Sequence, residues 1–223
     1  MLHDIRIKMN EKLYLRNPED SVLGRKIVSK GILLINKLGF EDFTFKKLAI
    51  EINATEATIY RYFENKHRLL VYLIAWYWSF LAFKVMFKLN NIDDPEIKLK
   101  TIIRLLVAEP EKSSYSEYIP EAEAYELVKR ESSKAFLTKN VTKDNRNRLF
   151  KPYKDLSVKI AEIIKEFNPK YKHPNFLAST ILEMSHAQKF FMEHLPSLTD
   201  TDSPDDKILI LFLEDLMFKT ISK

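Results

Sequence analysis

Residues Gly39 to Leu70 read GFEDFTFKKLAIEINATEATIYRYFENKHRLL, and their punctuation decides the fold. Thr44 is placed to cap a helix of about two turns, Phe45 to Ile52, after which Asn53 and Ala54 form a turn. Thr55 caps another short helix ending near Phe63, and Asn65 caps a long one from Lys66 to about Leu89. Short helices do not hold themselves in water, so Leu48, Ala49, Ile52, Ile59 and Phe63 must share a small core. Two short helices crossing at a tight turn, with one position tolerant of left-handed φ, make a helix-turn-helix. Asn53 supplies that tolerance, since Asn is among the non-glycine residues most at ease with positive φ. Glu56, Ala57, Tyr60 and Arg61 fall on the side away from Ile59. That side suits a major groove: Ala57 permits close approach, Arg61 reaches guanine O6 and N7, and Glu56 or Thr58 takes cytosine or adenine edges.

Lys66 argues independently. A lysine in the first turn of a helix opposes the macrodipole, unless an anion such as a DNA phosphate shares that helix start. Thr44, Thr55, Tyr60 and Tyr62 offer hydroxyls to the same backbone. Each has a plainer reading: Thr44 and Thr55 as caps, Tyr60 as a core ring with a wet tip, Lys66 as a solvated surface charge. The set at this spacing favours DNA.

The rest of the chain fits a carrier for such a head. Its 223 residues are 46% hydrophobic and 30% charged, which is globular, and three glycines and nine prolines are few for an all-β fold with many hairpins. Lacking cysteine, the chain has no disulfide, thiolate metal site or cysteine nucleophile, and fits a reducing cytoplasm. Residues 1–70 hold 13 Lys/Arg against 9 Asp/Glu, an excess of +4, while the remaining 153 residues hold 23 against 22. The positive excess therefore sits with the reading head, as in a polyanion binder, although many solvated surfaces carry as much.

Helical periodicity runs almost throughout, so the expected class is all-α. Further helices are expected at Glu19–Leu38, Pro95–Ala108, Pro120–Leu137, Arg146–Phe167, Asn175–Leu195 and Asp205–Ile221. Glu109–Ile119 and the stretch after Leu137 read as loop and polar connection. Three parts follow: an amino-terminal arm at 1–18, a helix-turn-helix domain at 19–68, and a helical domain at 69–223. The arm is either a flexible basic segment, with Arg6, Lys8, Lys12 and Arg16, or an extra helix. It carries no hydrophobic h-region, so export is not expected. Leu69 to Phe83 lacks charge over fifteen residues, short of the roughly 20 that cross a bilayer, and reads as a buried helix with no membrane role.

The segment resembles the tetracycline-repressor-like (TetR) transcriptional regulators. Their pattern appears as Gly39-Phe40, Thr44, Leu48-Ala49, Asn53-Ala54, Thr58-Ile59-Tyr60, Phe63, Lys66 and Leu69-Leu70, over about residues 24 to 70. Asn53 replaces the usual turn glycine, and Lys30-Gly31 stand where paired alanines usually pack, which loosens the first helix. The resemblance implies base contacts from Glu56, Ala57, Thr58 and Arg61 and phosphate contacts from Thr44, Tyr60, Tyr62 and Lys66. It also implies a homodimer on double-stranded DNA, joined by the last two long helices, and a helical domain that binds a small-molecule effector. A dimer also suits the DNA, because two heads about 34 Å apart read a palindrome that one short helix does not.

Candidate interface residues are Ile181, Met184, Phe191, Leu209, Phe212, Leu213 and Leu216, although a monomer core gives the same stripe. For a mostly apolar effector the candidates are Trp76, Phe80, Phe83, Tyr125, His186 and Gln188, with Tyr115 and Tyr118 as further polar contacts; ordinary core packing explains the aromatics equally well. The expected function is a repressor released by its effector. Alternatives are a constitutive DNA-binding regulator and a helical interaction or membrane-associated protein. Catalysis is not expected: His3, His67, His173, His186 and His194 are scattered, with no HExxH, G-x-S-x-G or glycine-rich phosphate loop. No cofactor and no metal site is expected.

Overall fold

The computed structural model describes residues 7–110, 118–201 and 203–222. Among them are ten α-helices: α1 Val22–Leu38, α2 Phe45–Ile52, α3 Glu56–Tyr60, α4 Lys66–Leu89, α5 Pro95–Val107, α6 Glu121–Phe136, α7 Val141–Arg146, α8 Lys151–Phe167, α9 Pro174–His194 and α10 Asp206–Ile221. The class is all-α.

Contacts divide the chain into two compact units, residues 1–79 with 109–151 and residues 80–108 with 152–223. The expected boundary at 68/69 falls within the first turn of α4. The structural division instead lies at residue 79 of that helix and groups α6 and α7 with the reading head.

The first unit is built around the short helices. Ile27, Val28, Ile32 and Ile35 of α1, Leu48, Ala49 and Ile52 of α2, Ile59 of α3 and Leu69 and Leu70 of α4 are buried together with Phe43, Phe45 and Phe63. Gly31 sets the approach of α1 to α4: a Cβ there would lie 3.1 Å from Leu69 Cδ2. The glycine thus tightens the packing that the sequence suggested it would loosen. Helix α6 grips the end of α1, with Asn36 Nδ2 donating to Glu123 O at 2.9 Å and Phe40 N–H donating to Glu131 Oε1 at 3.1 Å.

Residues 7–20 are laid against this unit. Two 3-10 turns, Glu11–Leu13 and Pro18–Asp20, bury Leu13 and Pro18, and Leu15 N–H donates to Tyr62 O at 2.8 Å. Helix α1 starts at Val22, three residues later than expected, because Ser21 Oγ caps Gly24 N–H at 3.0 Å. The second turn sits so close over Gly24 that a Cβ would meet Pro18 O at 2.3 Å. Arg6 lies outside the described residues.

The second unit packs α5, α9 and α10 against one another. Leu99, Ile102, Ile103, Leu106, Ile181, Leu182, Leu209, Leu213 and Met217 are buried here. Helix α8 joins through Phe167 against Phe218, ring centroids 5.6 Å apart, and through Asn168 Nδ2 donating to Ile221 O at 2.6 Å. Tyr153 of α8 donates to Glu183 Oε1 at 2.6 Å, and burial, reinforced by that carboxylate, pushes its phenol well above the usual tyrosine range.

Helix α4 corrects the membrane argument. It runs 24 residues, with a mean hydropathy of 1.7 in its most apolar window, so length and composition alone permit a span. Burial decides instead: 72% of that window is enclosed by protein, as in a helix that is apolar all round because it is surrounded.

Candidate nucleic-acid interface

Each stub is started by its own side chain. Thr44 Oγ1 accepts from Lys47 N–H at 3.2 Å and begins α2. Asn53 ends it in the left-handed region, φ 54° and ψ 51°, with its N–H donating to Ile50 O at 3.2 Å. Ala54 N–H then donates to Ala49 O at 2.9 Å, turning the chain back. Thr55 Oγ1 accepts from Thr58 N–H at 3.3 Å and shares a hydrogen bond with Thr58 Oγ1 at 2.8 Å, opening α3. Asn65 Oδ1 accepts from Arg68 N–H at 2.9 Å and starts α4.

These caps orient α3. Ile59 is fully buried, and Ile52 and Phe63 on either side of it in sequence are buried as well. Glu56, Ala57 and Arg61 consequently lie exposed, with Thr58 half-buried beside them. Tyr60 is 47% exposed, its ring edge-on to Phe45 with centroids 5.0 Å apart. Arg61 follows the last turn of α3 and makes no ion pair among the described residues. A helix held on one side by apolar side chains and bare on the other presents side chains to a groove.

Lys66 is placed differently from expectation. Its ammonium donates to the carbonyls of Phe40 (2.9 Å), Glu41 (2.9 Å) and Phe43 (3.0 Å) and lies 4.7 Å from the Phe40 ring centroid. All three donors of the group are thus engaged. The charge that opposes the α4 dipole is balanced by carbonyls of the loop before α2, so no phosphate is required to explain it. Tyr62 is also committed: its ring is buried, its hydroxyl bonds Ser21 Oγ at 2.8 Å, and Arg16 stacks over it with Cζ 5.3 Å from the centroid. Arg16 is the residue near α3 that the motif missed; the basic run of the arm was its only signal.

The six effector candidates divide between the units. Trp76 and Tyr125 are buried in the first, Tyr125 lying 6.4 Å from Tyr77. Phe80, Phe83, His186 and Gln188 belong to the second. Phe80 is buried and Phe83 is 41% exposed, stacked on Phe87 at 6.3 Å. His186 Nδ1 lies 3.1 Å from Ser185 Oγ and 3.3 Å from Leu182 O, as a core histidine does. Gln188 lines a cavity of about 130 Å³ with Met192, Leu198, Ile208 and Phe212. Tyr118 donates to Glu19 Oε1 at 2.5 Å, and burial raises its phenol far above the ordinary range. Tyr115 lies outside the described residues.

The interface stripe also needs correction. Ile181, Leu209 and Leu213 are buried in the core of their own unit, so they offer no surface. Met184, Phe191 and Leu216 are half-buried, and Phe212 is 48% exposed. The outward apolar side chains of α10 are Ile208, Leu211 and Phe212. Among the described residues no group of three or more His, Asp or Glu side chains is gathered to hold a metal ion.

Residues 27–73 match the family model of the bacterial regulatory proteins of the tetR family, over the same stubs. The match marks this part of the chain as a TetR-type DNA-binding region. The chain is a DNA-binding transcriptional regulator, and the family is not one of enzymes. Solved TetR-like structures share the architecture at low identity. AibR in complex with isovaleryl coenzyme A and operator DNA aligns with TM-score 0.61 and 15% identity, covering 88% of this chain and 99% of that one. A regulator from Saccharomonospora viridis in complex with choline gives 0.63 and 15%, covering 86% and 94%. The fatty acid degradation regulator FadR from Bacillus halodurans gives 0.57 and 17%, covering 86% and 96%. No curated protein matches this chain by sequence.

Proposed function

We infer that this regulator is a cytoplasmic repressor that binds a palindromic operator as a homodimer and is released by a mostly apolar small molecule. The carrying observation is the bare outer side of α3 opposite a fully buried Ile59. On it, Arg61 reads guanine, Glu56 and Thr58 take cytosine or adenine edges, and Ala57 admits the base pairs closely. Thr44, Thr55 and Tyr60 hold phosphates through exposed hydroxyls. Lys66 and Tyr62 support them from behind, one fixing the loop before α2 and the other tying the arm to α3.

Dimerisation would use Ile208, Leu211 and Phe212 of α10, with Met184, Phe191 and Leu216 at the margin, since an exposed apolar row of this kind marks a protein contact. The effector reading rests on the aromatic content of α4 and on relatives of this fold whose complexes contain isovaleryl coenzyme A or choline. Ligand would favour a dimer whose heads no longer meet successive major grooves. Full burial of Trp76 and Tyr125 by the protein itself favours the second reading, a constitutive regulator without effector.

A mobility-shift selection from randomised duplexes at low ionic strength tests the first claim. Enrichment of a twofold-symmetric sequence by a dimeric complex is the expected result; no retained duplex, or a site without symmetry, rejects the operator model.

A further inference from the structure

A polar cavity of about 230 Å³ lies in the first unit. It is lined by Glu64, Asn65, His67 and Arg68 at the start of α4 and by Thr138, Asn140, Lys143 and Asp144 around α7. Among the described residues no apolar side chain lines it, and the volume equals several waters at about 30 Å³ each. Buried polar atoms are normally hydrogen-bonded. Among the described residues eight solvent-shielded side-chain N or O atoms lack such a bond, and four belong to this lining: Arg68 Nη1, Thr138 Oγ1 and His67 Nε2, which can donate, and Asp144 Oδ1, an acceptor that faces Arg68 Nη2. Such clustering points to a missing partner rather than to scattered imperfection.

The chemistry of that partner follows from what is left over. Asp144, 1% exposed in its side chain, is neutralised by Arg68 Nη2 at 2.9 Å, an ion pair without hydrogen-bond alignment. Glu64 is mostly exposed and stands 3.8 Å from Arg68 Nε. These contacts leave Arg68 Nη1, the Thr138 hydroxyl, the Lys143 ammonium and the Asn65 and Asn140 amides as donors arranged around one space, with His67 able to add another. Donors converging from two helices suit a tetrahedral oxyanion with acceptor oxygens on every side.

We propose that this cavity is a phosphate-binding site joining α4 to α7. The phosphate belongs either to a free small molecule or to the DNA backbone, and the oxyanion chemistry is the same for both. The proposal does not rest on the base contacts assigned to α3 or on the identity of any effector.

The test uses the full chain and inorganic phosphate. Melting is followed in sodium phosphate and in sodium chloride at equal pH and ionic strength, with the dissociation constant from isothermal titration. Phosphate raises the melting temperature, because a ligand that binds only the folded state stabilises it. Arg68→Lys keeps a charge for Asp144 but removes the free guanidinium N–H, and Thr138→Val removes the hydroxyl. Each is expected to weaken phosphate binding about tenfold or more, the equivalent of about 1.4 kcal/mol. Should Arg68→Lys melt early in chloride, Thr138→Val decides alone. Equal melting of the wild type in both salts, or a Thr138→Val protein that folds and binds phosphate as the wild type does, overturns the site. A random-sequence duplex at low ionic strength then assigns the source. If the variants lose duplex affinity, the phosphate is that of DNA; if duplex binding is unchanged while phosphate binding falls, it is free. Both results support the oxyanion site.

Discussion

Helices α2 and α3 run 8 and 5 residues, and each is opened by a side-chain cap; α9 and α10 run 21 and 16 residues and carry apolar side chains on both inner and outer faces. Stubs of that length stand only when neighbours and caps fix them, so their sequence must specify where they begin, turn and end. Long helices need no such instruction. Their sequence states that they are helical and leaves open which stripe meets the core and which meets a partner. The difference explains why the reading head carries a family pattern while the α5, α9 and α10 cluster carries none that can be read residue by residue.

The largest expected effects separate core from surface in both regions. Ile59→Ala and Leu213→Ala should each lower stability by about 2–5 kcal/mol, as large-to-small core changes do; chemical denaturation reads this directly. Leu211→Ala, at a position 65% exposed, should change protomer stability by no more than about 0.5 kcal/mol while raising the dimer dissociation constant in sedimentation equilibrium. A Leu213→Ala protein of unchanged stability, or a Leu211→Ala protein that unfolds early, would erase the contrast between the two stripes.

Next comes Lys66. Lys66→Met leaves the carbonyls of Phe40, Glu41 and Phe43 without their donor and should cost about 1–3 kcal/mol, with the salt dependence of duplex binding unaltered. A slope flatter by about one charge per head with normal stability would restore the phosphate role instead. Gly24→Ala forces a Cβ onto Pro18 and should cost about 1–3 kcal/mol through overpacking, detected as a lower melting temperature and faster proteolysis of residues 7–20. The smallest effect is at the turn: Asn53→Gly should stay within about 0.5 kcal/mol, since both residues accept positive φ, whereas Asn53→Val should cost about 1–2 kcal/mol.

The limits of the sequence are physical. Thr44, Thr55, Asn65 and Asn53 announce their roles because caps and left-handed turns act on atoms within a few residues. Helix α7 escaped notice: VTKDNR has no apolar period, and its one buried residue, Asp144, is held by Arg68 from far along the chain. Lys66 misled because its partners are backbone carbonyls, which any residue supplies and no residue type reveals. Leu209 and Leu213 formed a convincing stripe, yet a stripe alone does not say whether it is covered by the same chain or by a second copy. The bounds of α4 were legible, since Asn65 starts it and the apolar run continues through Lys84 and Lys88 to Leu89.

The central claim, that the outer side of α3 reads bases, is tested most directly by comparing sequence selection by the wild type and by Arg61→Ala from one pool of randomised duplexes. The account predicts that the variant still selects a twofold site but loses discrimination at one position in each half, by about 1–3 kcal/mol. An identical sequence preference in the two proteins would contradict it.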